Sequence, residues 1–193
     1  MKPVAAVGWA MAAAPAAFLA AGLLDGSYAA SPWRFAVRET GLWAMRFAAL
    51  ALLVSPLLRI RLLAPIEPWR RAFGLAGTFY AFAHLFFWTR QYGFDWPFLF
   101  GELTRVFLAV GLAAALLTVP LAATSNGYAR MRLGMPRWRR LHLLAYPAAL
   151  LGWLHFALAV RLDRTELYAQ AAVLGLALVH RVVRGFAKPQ GLR

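Results

Sequence analysis

Four histidines, His84, His142, His155 and His180, sit within or beside apolar runs of a chain that has no cysteine. A polar side chain at such depth is costly and marks a site of function. The stretch Trp138–Val160, WRRLHLLAYPAALLGWLHFALAV, carries two of them thirteen residues apart. Imidazole can bond across helices, relay protons or ligate a metal. The lack of cysteine excludes disulfides, thiolate catalysis, iron–sulfur ligation and covalent haem attachment through CxxCH. Any redox work must therefore use a bound cofactor.

Spacing narrows the choice. The segments PWRR (68–71) and RWRR (137–140) each read as the cytoplasmic entry of a helix, so the two helices run parallel. His84 lies fifteen residues past Trp69 and His155 seventeen past Trp138. At ~1.5 Å per residue the two imidazoles fall within about 3 Å of one depth. Such a pair can fill both axial positions of a haem b iron, giving a low-spin electron-transfer centre. His142 and His155 are ~20 Å apart along one helix, as expected if each serves a different haem, one per leaflet. On an ideal helix they point roughly 140° apart, and Pro147 between them is expected to bend it. Opposite His142 the other helix offers Arg71 to Phe73, which cannot ligate iron. His180 is the free candidate at that depth, and a haem with one histidine and a weaker or shared ligand fits as well. The plain alternative is that these histidines only donate interhelical hydrogen bonds, or that His142 and His180 sit at the headgroup level.

The elements that must position these residues are membrane spans. The chain is 62% hydrophobic and 15% charged, against roughly half and a quarter in soluble domains. Its apolar residues fall into blocks near the ~20 residues that cross a bilayer core: about 4–24, 42–63, 72–89, 103–123, 139–160 and 167–185. The expected fold is all-α, a single six-helix transmembrane bundle occupying residues 1–193. The first block is too long for the ~7–15-residue apolar region of a signal peptide and reads as a retained span.

The net charge of +14 suggests nucleic acid in a soluble protein, but its distribution argues for membrane topology. Lys2, Arg59, Arg61, Arg70, Arg71, Arg130, Arg132, Arg137, Arg139, Arg140, Arg181, Arg184, Lys188 and Arg193 fall at one set of ends. The other ends hold Arg34, Arg38, Arg90, Arg105, Arg161 and Arg164, matched by Asp25, Glu39, Asp95, Glu102, Asp163 and Glu166. The positive-inside rule then places both termini in the cytoplasm. Trp88, Tyr92, Phe94, Trp96, Phe98 and Phe100 crowd the outer interface, and Asn-Gly marks SNGYARMRLG (125–134) as a turn-containing connection. Asp95 and Glu102 read as plain loop or as docking acids.

Arg46, about four residues into the second span, can snorkel, pair with a haem propionate or line a quinone site. Arg70, Arg71, Arg139 and Arg140 surround the level of His142 and are available to propionates, though the positive-inside rule already accounts for them.

RRAFGLAGTFYAFAHL (70–85) and LTVPLAATSNGYARMRLGMPRWRRLHLLAYPAALLGWLHF (117–156) resemble the MsrQ (YedZ-like) family. These are haem-binding membrane subunits of periplasmic methionine sulfoxide reductase systems, within the wider ferric-reductase and NADPH-oxidase transmembrane group. The resemblance covers roughly residues 40–160 and places the family's haem histidines on His84, His142 and His155; His180 has no counterpart. It implies a bacterial inner-membrane protein carrying one or two haems b, with FMN also reported in the family. Electrons would come from the quinone pool or a flavin reductase. They would pass to a periplasmic molybdopterin methionine sulfoxide reductase that repairs oxidised envelope proteins. On this reading the chain does no substrate chemistry of its own. Two other classes compete: a transporter or proton pathway using histidine relays, and an anchor that recruits a soluble partner. The first lacks an intramembrane carboxylate beside the histidines and the symmetric broken helices of transporters; the second leaves the shared depth of His84 and His155 without a purpose.

Overall fold

A computed structural model describes residues 3–28, 30–159 and 164–186, the last three without side chains. Lys2, Val160, Arg161, Asp163, Lys188, Arg193 and both chain ends lie outside the described residues, as does the side chain of Arg184. The helices are α1 (Pro3–Leu24), α2 (Pro32–Leu57), α3 (Trp69–Gln91), α4 (Trp96–Glu102), α5 (Val106–Ala123), α6 (Gly127–Leu141), α7 (Ala145–Ala159) and α8 (Thr165–Phe186). Short 3₁₀ turns occupy Arg61–Ile66 and His142–Leu144, and no strand occurs among the described residues. The all-α expectation holds.

Five stretches are long and apolar enough to cross a membrane: Pro3–Leu24, Pro32–Leu57, Val106–Ala123, Gly127–Ala159 and Thr165–Val183. The third expected span, α3, has the length but is more polar, with Arg70, Arg71, Thr78, His84, Thr89 and Arg90 along it. The large side chains left on the outside are themselves apolar, among them Phe18 at 76% exposure, Phe79 at 60% and Leu116 at 54%. An exterior of this kind is stable only against lipid or another apolar partner.

Several boundaries differ from the sequence reading. The second span starts at Pro32, ten residues before the expected 42, and ends at Leu57 rather than 63. Proline suits a helix's first turn, where its missing N–H is not needed, while Arg34, Arg38 and Glu39 mask the helix from a hydropathy count. The expected connection 125–134 is mostly helix: Asn126 caps α6, its side chain accepting from Ala129 N at 2.8 Å. The turn comes at Gly134 instead, whose φ of 72° kinks α6. RWRR therefore closes α6 rather than opening a span, and the expected span 139–160 is broken by the His142–Leu144 turn before α7 begins. Pro147 sits in the first turn of α7, so the break falls just upstream of it.

Two antiparallel pairs, α2 with α3 and α5 with α7, pack most extensively. They meet through α3–α5 and α2–α7 contacts, while α1 covers α3 and α8 covers α2 and α7. Phe47, Phe73, Tyr80, Ala76, Ala12 and Val54 form the densest cluster, with Phe47 stacked on Tyr80 at 5.5 Å. The Tyr80 hydroxyl accepts from Ala16 N at 2.8 Å and donates to Ala12 O at 3.0 Å. These are the two groups that an unbroken turn would join, next to Pro15 in α1. The inserted hydroxyl satisfies what the proline opens and ties α1 to α3.

Candidate functional site

His84 on α3 and His155 on α7 face each other across the junction of the two helix pairs. Their ring centroids are 6.1 Å apart, with planes inclined at 79°. Each ring is held from behind by the helix paired with its own. His84 Nδ1 lies 2.8 Å from the Val37 carbonyl of α2, and His155 Nδ1 lies 2.6 Å from the Phe107 carbonyl of α5. A carbonyl can only accept, so Nδ1 carries the proton in both rings, and among the described residues neither Nε2 has a hydrogen-bond partner. Neutral imidazole with a backbone acceptor on one nitrogen and a lone pair on the other is the form that binds metals.

The close seating depends on glycine. A Cβ on Gly41 would lie 2.8 Å from His84 Nδ1, and one on Gly111 would lie 2.6 Å from His155 Nδ1. The two halves repeat one device, a carbonyl followed four residues later by glycine (Val37 and Gly41, Phe107 and Gly111). Gly152 on α7, three residues before His155, packs against Met45 of α2, where a Cβ would meet Sδ at 2.8 Å. Small residues thus close the junction around both rings.

The spacing of the two rings suits a shared metal. Metal–imidazole bonds of about 2 Å, with a further ~1 Å from nitrogen to ring centre, require about 6 Å between two rings that share a metal. That matches the observed separation. Among the described residues no group of three or more His, Cys, Asp or Glu could hold a bare ion. Two imidazoles alone suit a metal that brings its own equatorial ligands.

Arg46 lies near the middle of α2, deeper than the sequence suggested, because α2 starts earlier. Its Nε and Nη2 donate to the two carboxylate oxygens of Glu166, at 2.9 and 3.2 Å, and its guanidinium stacks on Trp43. Gln170, buried, donates to the same carboxylate at 3.0 Å. Glu166, in the first turn of α8, thus meets α2 at mid-helix, whereas the sequence reads it as an outer-loop acid. Of the other outer acids, Asp95 caps α4 through Phe98 N, and Glu102 pairs with Arg105 at 2.9 Å.

His142 stands apart from this junction. Its ring lies 4.0 Å from that of Trp138, and its Nε2 is 3.0 Å from Thr124 Oγ1. The threonine hydroxyl points its proton at Pro120 O, 2.6 Å away, which leaves Nε2 of His142 as the donor. Arg70 is the cation that faces His142. Arg71, Arg139 and Arg140 are exposed on the same end of the bundle. No hydrogen bond or ring contact joins His142 to His180 on α8. An apolar cavity of about 430 Å³ lies between α3, α4 and α5, lined by Phe82, Phe86, Trp96, Phe100 and Leu112 among others. Phe94 at its rim has a φ of 60°, unusual for an aromatic residue, and its ring lies between those of Phe86 and Trp96.

Sequence reasoning missed Gly41, Gly111, the Val37 and Phe107 carbonyls, Thr124 and Glu166. The glycines carry no distinguishing signal either, since the dipeptide Gly-Leu at 41 and 111 recurs at 22, 74 and 175. Carbonyl acceptors leave no trace in a sequence.

Comparison with known proteins gives consistent matches. A family model described as the ferric reductase like transmembrane component matches residues 40–153, which include Gly41, His84, Gly111 and His142. The chain is 38% identical over 176 residues to the protein-methionine-sulfoxide reductase heme-binding subunit MsrQ of Rhodospirillum rubrum, covering 88% of this chain and 82% of that one. It is 41% identical over 148 residues to the subunit of the same name from Xanthomonas campestris pv. campestris, covering 75% of this chain and 66% of that one. Magnetosome protein MamZ of Magnetospirillum gryphiswaldense is 33% identical over 162 residues, where 81% of this chain corresponds to 24% of MamZ.

Proposed function

Because the chain belongs to the ferric-reductase-like transmembrane family, and within it to the MsrQ heme-binding subunits, we propose that it is a haem-carrying electron-transfer subunit of a methionine sulfoxide reductase system. The observation that carries this reading is the opposed pair of Nδ1-protonated imidazoles at a separation suited to one metal. His84 and His155 would hold a haem b, which supplies a one-electron site within the membrane. The residues of this chain do the rest: Val37 and Phe107 fix the tautomer, and Gly41 and Gly111 let the helices close behind both rings. Helix α3 is the sixth span, and both termini lie in the cytoplasm, on the side of the arginine-rich ends of α3, α6 and α8.

On this reading the histidine pair lies toward the outer face, close to a periplasmic catalytic subunit of the molybdopterin type. Electrons reach it from the quinone pool or a flavin reductase at the inner face, with FMN as a further cofactor by resemblance. His142 is the candidate ligand of a second haem on that side. To serve through Nε2 it must release Thr124, and Arg70 is the nearest partner for a propionate there. Arg46 retains N–H donors beyond the two engaged by Glu166, so it remains a candidate for the outer propionates or a quinone.

The test is an absorption spectrum of the detergent-purified protein, oxidised and dithionite-reduced, with haem measured per chain. A low-spin b-type spectrum lost in His84→Ala and in His155→Ala supports the outer site, and a second fraction lost only in His142→Ala supports an inner one. Protein expressed with ample haem that binds none would sink the proposal in favour of histidine relays.

A further inference from the structure

In an α-helix the carbonyl of residue i lies beneath the side chains one turn on, at i+3 and i+4. A ring from a neighbouring helix can reach that oxygen only if the covering position is small. Both candidate ligands use such an opening, on different helices: Val37 O beside Gly41 serves His84, and Phe107 O beside Gly111 serves His155. The two openings differ in tightness. A Cβ at Gly111 would approach Nδ1, Cε1 and Cγ of His155 at 2.6, 2.8 and 2.9 Å, against 2.8, 3.0 and 3.7 Å for Gly41 and His84. A Cβ within 3 Å of a ring atom displaces either the ring or the helix behind it. A Cβ at Gly74 or Gly175 meets nothing within 4 Å, and the tight contacts of Gly8, Gly22 and Gly152 are with Trp69, Tyr28 and Met45 rather than with a histidine.

We propose that Gly41 and Gly111 are positioning residues of the site, each opening a backbone carbonyl so that the histidine opposite is locked as its Nδ1–H tautomer with Nε2 left to a metal. This deepens the haem reading and rests on it for its electronic consequence alone; the tautomer lock belongs to the folded chain itself. An Nδ1–H bonded to a carbonyl raises the basicity of the ligating nitrogen. A more basic axial ligand favours the oxidised metal. Adding a methyl group at either glycine pushes the ring off its acceptor, weakens the ligand and raises the midpoint potential. The shorter bond and tighter contact make Gly111 the more sensitive position.

The experiment uses the full chain with ¹⁵N-labelled histidine, purified without haem, with His84→Ala and His155→Ala supplying the assignments. Imidazole ¹⁵N shifts report the tautomer directly. The expected result is Nδ1–H for both residues in the parent, loss of that signature for His84 in Gly41→Ala and for His155 in Gly111→Ala, and no change in Gly74→Ala or Gly175→Ala. Gly152→Ala, on the same helix as His155 but striking Met45 of α2, controls for general packing damage. Haem-loaded samples then give the midpoint potential, expected higher in both glycine variants and most in Gly111→Ala. Retention of both Nδ1–H signals in the glycine variants, or an equal loss in Gly152→Ala, overturns the proposal. If Gly111→Ala does not accumulate, Gly41→Ala decides by the same signals. A parent chain that shows both tautomers yet takes up no haem removes the haem reading and leaves the positioning result standing.

Discussion

The Arg46–Glu166 pair offers a quantitative test of how α8 is held against α2. The guanidinium and carboxylate meet through two bonds of 2.9 and 3.2 Å, and each side chain is 31% exposed. Charges about 4 Å apart at an effective dielectric near 20 attract by about 4 kcal/mol. Partial exposure and side-chain ordering reduce this by roughly half, to ~2 kcal/mol. Removing Glu166 leaves Arg46 without its bidentate acceptor and Gln170 without the carboxylate it donates to, and removing Arg46 takes two charge-assisted bonds from Glu166. Arg46→Met and Glu166→Leu should each destabilise by about 2 kcal/mol, and the double variant by no more than either single one. The coupling energy from the cycle is then ~2 kcal/mol. Thermal unfolding of detergent-purified protein at fixed pH and salt reads all four corners, with single-variant midpoints lowered by roughly 5 °C. Additive single effects, or a double variant weaker than both singles, would refute the assignment of this pair as the fastening between α2 and α8.

Other consequences follow from the geometry. The 79° inclination of the His84 and His155 rings predicts a strongly anisotropic low-spin electron paramagnetic resonance signal in the haem-loaded protein; the rhombic signal of coplanar imidazoles would contradict it. Tyr80→Phe removes both bonds that bridge Ala12 and Ala16 of α1, and should destabilise by about 2–3 kcal/mol, read as a lowered unfolding midpoint and faster proteolysis of α1. Thr124→Val deprives His142 of its acceptor and the Pro120 carbonyl of one of its two donors; a loss of about 1 kcal/mol is expected, with an altered His142 ¹⁵N signature and unchanged signals for His84 and His155. Trp69→Phe breaks the bond to Val4 O and should loosen the start of α1 by about 1 kcal/mol, seen as faster amide exchange there.

The class of the protein and the depth of its key pair were legible in the sequence. Apolar blocks of membrane length follow from composition, because lipid admits only helices that satisfy their own backbone. His84 and His155 could be matched in depth because rise per residue is fixed by helix geometry. The entry motif used for that match was misread, since RWRR ends α6 and the His142–Leu144 turn intervenes. The depth survived because both readings place His155 near the C-terminal end of the same run. Boundaries failed where charge hid helix, as at Arg34 to Glu39 in α2, and where turn chemistry served as a cap, as at Asn126.

Tertiary structure alone decided what surrounds each histidine. Whether imidazole presents Nε2 or Nδ1 depends on which carbonyl lies behind it, and that depends on helix pairing with no local signature. The partners Val37, Phe107 and Thr124 lie 47, 48 and 18 residues from the histidines they meet. Arg46 and Glu166, 120 residues apart, become a pair only once α8 packs on α2. Residue types and periodicity supply the candidate groups and their depth. Azimuth, tautomer and charge pairing come from long-range packing, because a helix fixes rise along its axis but leaves its neighbours to be chosen by the rest of the fold.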